Sequence, residues 1–186
     1  MNDVVFLGRF HPQKGVRELM HIWAYVNQLL PDATLVMIGG GELFKECQAY
    51  NMRNVTLKGF MYGEERNEVI KECRVAVHPA VYDSGGMALA ECMAFGLPGV
   101  SFDLPSLRTY YSKGVVKVPC FSNEAFAMAI VDLLTCSDYY DAMSKEADEY
   151  INSEWKWDKR AESIWNDMMR CLSHPQADKF HTTDHQ

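Results

Sequence analysis

Short runs of consecutive apolar residues alternate along the chain with longer stretches whose apolar positions recur every three or four residues. Val4–Leu7 is the first run, bounded by Gly8. After a polar loop, Leu19, Trp23, Val26 and Leu30 fall at helical spacing, and Pro31 stops that helix. Leu35–Ile38 is a second run, closed by Gly39, Gly40 and Gly41. Residues 42–50 form a predicted helix, 55–57 a strand ending at Gly59, and 64–73 another helix. Residues 75–77 are a fourth strand running into His78 and Pro79, and 87–95 a helix ended by Gly96. Gly99–Phe102 and Val115–Val118 complete a set of about six strands. Three more helices follow, over residues 124–134 behind a Ser122-Asn123 cap, 138–150 and 156–172.

Alternating β and α units with wholly apolar strands imply a parallel sheet covered on both faces by helices. Right-handed crossovers leave few topologies, of which the doubly wound, Rossmann-like sheet leads. The expected organisation is one α/β domain over residues 1–172 and a disordered polar tail over 173–186, which holds three of the six histidines. The four tryptophans, three of them in the last helices, are expected in the core.

Composition narrows the function. The chain has 186 residues, 48% hydrophobic and 23% charged, enough for one well-cored domain. Eighteen basic against twenty-five acidic residues give a net charge of −7, which argues against a nucleic-acid partner. No apolar run approaches the roughly 20 residues of a membrane span, and no charged-then-apolar leader opens the chain. The six cysteines include no CxxC pair and are expected to be reduced, mostly buried small hydrophobes. A cytoplasmic location is the expectation.

In an open α/β sheet, ligands bind outside the carboxyl ends of the strands. The loops there begin at Gly8, Gly39, Gly59 and His78. The first carries Arg9, His11 and Lys14 and ends at Gly15, just before a helix start, which suits a diphosphate. It does not have P-loop spacing, and a solvated turn is the plainer reading. Gly39-Gly40-Gly41-Glu42 lacks the GxGxxG spacing and reads as a flexible strand-to-helix turn. Phe60 offers a ring to a base, although a buried Phe is commoner. The loop Tyr82-Asp83-Ser84-Gly85-Gly86 leads into a helix beginning at Met87 and Ala88, and its two glycine amides are expected to be unpaired and available to phosphate or sugar oxygens. Asp83 also suits an N-cap. Glu91 lies about 7 Å further along that helix, within an otherwise apolar run, and needs a partner or a ligand. His78 fits either the cleft wall or a satisfied buried histidine. No nucleophile triad and no metal-ligand cluster is evident.

The order G-R-x-x-x-x-K-G, then G-G-G-E, then Asp83 with Glu91 eight positions later and A-F-G-L-P behind it, resembles the donor-binding half of family 4 glycosyltransferases. The resemblance runs from about Val4 to Leu172. It implies the C-terminal half of a two-domain GT-B fold. It also implies that Arg9 and Lys14 contact the diphosphate of a nucleotide sugar (UDP-, GDP- or ADP-sugar) beside Gly15. Gly85, Gly86, Met87 and Ala88 would hold sugar and phosphate oxygens, Phe60 would meet the base and Glu91 the ribose. Asp83 would be the catalytic residue, at the position where the family's first glutamate meets the transferred sugar. It is a methylene shorter than that glutamate, Ser84 replaces a Gly and Gly85 an aromatic, departures that bear on the sugar.

By resemblance the reaction is a metal-independent sugar transfer with retention, without a cofactor, to an acceptor such as a glycan or lipid-linked saccharide. The N-terminal acceptor-binding domain is missing, so the expectation is a fragment or a subunit needing a partner, inactive alone, with any peripheral membrane contact made through the missing domain. The second reading is a noncatalytic nucleotide-sugar-binding or regulatory subunit on the same half-fold. An epimerase of the same architecture fits the Arg-Lys loop and acid pair less well.

Overall fold

A computed structural model of the chain describes residues 2–173. Six parallel strands stand in the order β3-β2-β1-β4-β5-β6: β1 Val4–Leu7, β2 Leu35–Ile38, β3 Val55–Gly59, β4 Val75–His78, β5 Gly99–Phe102 and β6 Val115–Val118. β1 lies in register with both central neighbours, Val5 facing Val36 on one side and Ala76 on the other. Helices run between and after them: α1 Val16–Leu29, α2 Phe44–Ala49, α3 Gly63–Lys71, α4 Met87–Met93, α5 Pro105–Tyr110, α6 Asn123–Thr135, α7 Ser137–Glu154 and α8 Trp157–Ser173. The doubly wound sheet with helices on both faces is therefore the architecture.

The apolar strands are buried because both faces are covered: α1 packs on α6 and α2 on one side, and α4 on α7 on the other. β2, β4 and β5 are buried at every position. β3, an edge strand, is half-buried, its Thr56 and Lys58 facing out. α1 buries Val16, Leu19, Met20, Ile22, Trp23 and Val26, one apolar stripe. It stops at Leu29, and Leu30 leaves helical geometry one residue before Pro31.

Several expectations need correction. α5 and a 3-10 turn, Pro12–Lys14, stand where no element was predicted, both too short for a periodic signal. Helices predicted over 42–50 and 87–95 are shorter, at six and seven residues. Trp23 is core and Trp155 packs against it, but Trp157 and Trp165 are 74% and 61% exposed, because α8 buries none of its residues. Cys120, Cys136 and Cys171 are exposed, so only half of the cysteines are buried. Burial pushes the thiols of Cys47 and Cys73 up to about 11 and about 12, which leaves them protonated and inert. Ser173 ends α8, and the rest of the expected disordered tail, 174–186, lies outside the described residues. Among the described residues no helix is long and apolar enough to cross a membrane.

Candidate functional site

The strand order reverses between β1 and β4. The chain leaves β1 toward β2 and leaves β4 toward β5, so their loops diverge and open a crevice at the carboxyl ends. Of the four loops singled out from the sequence, those after β1 and β4 flank this crevice.

They are held in direct backbone contact. Gln13 O accepts the amides of Val81 and Tyr82 at 3.0 and 3.2 Å. Gly15 has φ +66°, and a Cβ there would stand 1.7 Å from the carbonyl oxygen of Pro79. The Gly39–Gly41 turn is likewise a close-packing device and not a flexible one. A Cβ on Gly39 would stand 1.9 Å from Gly8 O, and Gly40 O accepts the Phe10 amide at 2.8 Å.

Asp83 is the hub of the crevice. Its Oδ1 accepts the amides of Gly85 and Gly86 at 3.0 and 2.8 Å, and its Oδ2 accepts Lys14 Nζ at 2.5 Å. His78 Nε2 lies 3.0 Å from the same Oδ2, close but without the alignment of a good hydrogen bond. The Asp83 side chain is only 7% exposed. Burial by itself pushes its carboxyl up; the approach of His78 and the bonds from Gly85, Lys14 and Gly86 outweigh this and hold it far below the ordinary carboxylate range. A carboxylate offers about four acceptor positions; Gly85, Gly86 and Lys14 fill three of them and His78 crowds the fourth. The glycine amides expected to be unpaired are thus both bonded by Asp83. Among the described residues, the amides without an acceptor at this helix start are those of Met87 and Ala88, one step further along.

The segment after β5 supports this loop. Ser106 Oγ donates to Asp83 O at 2.6 Å, and the buried Tyr111 hydroxyl lies 2.7 Å from Gly86 O and 3.1 Å from Gly85 O, its proton shared between them. Gly86, at φ +60°, has no room for a side chain beside Leu107 and Tyr111. Neither Ser106 nor Tyr111 was predicted. Pro105 at the first helical position is the one local signal of α5, and it does not single out these two supports.

One turn along α4, Glu91 faces a cavity of about 230 Å³ that it shares with Arg9, Phe60, Tyr62, Arg66 and Ala88. Glu91 does have a partner: Arg66 Nη1 donates to its Oε2 at 2.7 Å. Phe60 is exposed, not buried, and its ring lies parallel to that of Tyr62. Larger depressions of about 340 and 470 Å³, beside Phe44 and Met52 and beside Lys113 and Glu149, lie away from the loops after β1 and β4. The structure therefore sorts the predicted residues into two neighbouring groups. Lys14, Gly15, Asp83, Gly85, Gly86 and Met87 lie at the helix start; Arg9, Phe60, Ala88 and Glu91 line the cavity. His11 stays outside both, its Nδ1 accepting the Gln13 amide at 3.3 Å.

A doubly wound sheet with a cation-bearing loop and a glycine-led helix start meeting at its switch point defines a Rossmann-like ligand-binding domain. Residues 1–150 match the family described as Glycosyl transferases group 1, and the chain belongs to that family. The alpha-D-kanosaminyltransferase of Streptomyces kanamyceticus is 28% identical over 151 residues, covering 77% of this chain and 39% of that protein. Anabaena HepE, solved in complex with UDP and glucose, superposes with a TM-score of 0.77 at 16% identity, over 90% of this chain and 48% of its own. The C-terminal domain of the group 1 glycosyl transferase LpcC from Francisella tularensis superposes with a TM-score of 0.71 at 16% identity, over 83% of this chain and 87% of its own. These structural neighbours share the GT-B glycosyltransferase fold. The chain spans between 26% and 46% of the length of the curated relatives it matches.

Proposed function

We propose that this chain is the nucleotide-sugar donor-binding domain of a retaining, metal-independent glycosyltransferase of family 4, acting on a glycan or lipid-linked acceptor held by a separate N-terminal domain. One observation carries the reading: α4 begins beside the Lys14–Asp83 pair with its first two amides unbonded among the described residues and, one turn on, reaches a carboxylate-bearing cavity at Glu91. A nucleoside diphosphate has the same polarity, with anionic oxygens at one end and a ribose diol and base at the other. Lys14 Nζ has three donors, of which Asp83 takes one, so its ammonium can stay on the acid and still meet a phosphate. The Met87 and Ala88 amides add positive potential at that end, and Arg9 reaches toward the ligand from the cavity wall. In transfer, these groups stabilise the charge that builds on the departing diphosphate. Phe60 and Tyr62 offer rings to the base. Asp83 sits at the sugar end, where it fixes Lys14 and the glycine turn and, through them, the orientation of the transferred sugar. The relatives support the donor class: HepE was solved with UDP and glucose, and a Mycobacterium tuberculosis relative is a GDP-mannose-dependent mannosyltransferase.

The test is calorimetry with UDP, GDP and ADP without metal. Weak binding of at least one is expected, and none at millimolar concentration sinks the reading. Lys14→Ala should weaken that binding roughly 10- to 150-fold, the worth of a charge-assisted hydrogen bond. The loss should shrink as salt rises, because the ammonium is partly open to solvent and screened.

A further inference from the structure

Arg66 projects from α3 into the wall of the Glu91 cavity and has no part in the phosphate end of the site. Its Nη1 holds Glu91 Oε2 at 2.7 Å and its Nη2 lies 3.2 Å from Asn67 Oδ1, while its Nε is buried without an acceptor among the described residues. Stability does not account for this placement. The two side chains are 27% and 40% exposed, a setting in which an ion pair adds little. The orphaned Nε–H works against the fold.

We infer that Arg66 is a positioning residue for the nucleoside end of the site: by holding Oε2 it fixes the Glu91 carboxylate so that Oε1 faces the ribose diol of the bound nucleotide. This rests on the nucleotide-sugar reading above. The physical reason is entropic. A free glutamate has several rotatable bonds, and freezing them at the moment of binding weakens the complex. Arg66 restricts them beforehand, from a different helix, so the acceptor oxygen is already in place. Its positive charge also offsets a carboxylate that would otherwise stand near an anionic ligand.

The experiment compares UDP and GDP with their 2′,3′-dideoxy counterparts, by calorimetry on the 186-residue chain. Arg66→Ala should weaken the ribonucleotide about fivefold, within the range expected for one side chain that must be immobilised on binding, and the dideoxy ligand less than about twofold. Loss of positive charge alone falls on both ligands equally, so the ratio isolates positioning. Arg66→Lys, which keeps the charge and a single donor nitrogen but loses the planar fork, should recover part of the ratio and guards against misfolding of the alanine variant. Glu91→Ala should lose more of the ribonucleotide's affinity than Arg66→Ala, and the double variant should bind no worse than Glu91→Ala. Equal losses on both ligands, additive losses in the double variant, or a silent Arg66→Ala beside a ribose-sensitive Glu91→Ala each overturn the role of Arg66 alone. Wild-type protein that binds none of the nucleotides overturns the nucleotide reading itself, and this inference with it.

Discussion

Gly15→Ala should destabilise the domain by more than about 4 kcal/mol, with the two site loops forced apart. Two effects combine. At φ +66° an L-residue costs about 1–2 kcal/mol against glycine. The added Cβ would also stand 1.7 Å from the carbonyl oxygen of Pro79, and the obstructing atom is backbone, which cannot rotate away. That carbonyl belongs to the loop after β4, whose next residues are fastened to Gln13 O by two amides, so relief requires moving the whole loop. Gly63→Ala is the matched control. Gly63 has φ +55° and no atom within 4 Å of an added Cβ, so it should lose only the conformational part, about 1–2 kcal/mol. For a domain of this size 1 kcal/mol moves the melting temperature by about 2–4 °C, so thermal unfolding should separate the two variants by at least about 4 °C. Equal losses in both would mean that the loops after β1 and β4 are not packed this closely.

The strands were legible because a strand buried on both faces must be apolar at nearly every position, and β1, β2 and β5 have that pattern and those limits. Long amphipathic helices such as α1 showed themselves for the same reason: one face is buried, so its apolar positions recur. α5 did not, since six residues give less than two turns of pattern. Tryptophan in α8 misled because a large apolar side chain in an amphipathic helix reports that a face exists, not that this domain covers it. At the site, residue types and loop positions were readable, but pairings were not. Lys14 meets Asp83 across 69 residues and Arg66 meets Glu91 across 25, and those separations close only through the strand order. The need of Glu91 for a partner could be argued from its apolar neighbours; which residue meets it could not. Asp83 is not the N-cap that its position suggests: the N-cap of α4 is Gly86, without a side-chain cap, and Asp83 closes the glycine turn before it, a bonding pattern that sequence spacing could not distinguish from a cap.

Asp83→Ala should destabilise the domain by about 3 kcal/mol at neutral pH, the low end of what breaking a buried pair costs, because Lys14 can still turn toward water. The loss has several sources: the Gly85 and Gly86 amides are orphaned, the ammonium of Lys14 loses its counter-charge, and His78 loses its acidic neighbour. Tyr111 and Ser106 grip the same turn through its carbonyls, so the turn should loosen without disappearing. The pH dependence identifies the charged carboxylate as the agent. Asp83 titrates far below the ordinary carboxylate range when folded, against about 3.9 when unfolded. Between those values the unfolded chain binds the extra proton, so the contribution of the carboxylate is complete above about pH 5 and declines as pH falls below that. Chemical denaturation of wild type and Asp83→Ala should therefore give a constant gap from pH 7 to about 5, narrowing at lower pH. Asp83→Asn, which keeps an acceptor for the two amides but no charge, should fall between them at neutral pH. A gap that stays the same down to pH 3 would show that the neutral side chain caps the turn just as well, and that the ion pair with Lys14 contributes nothing to holding the site together.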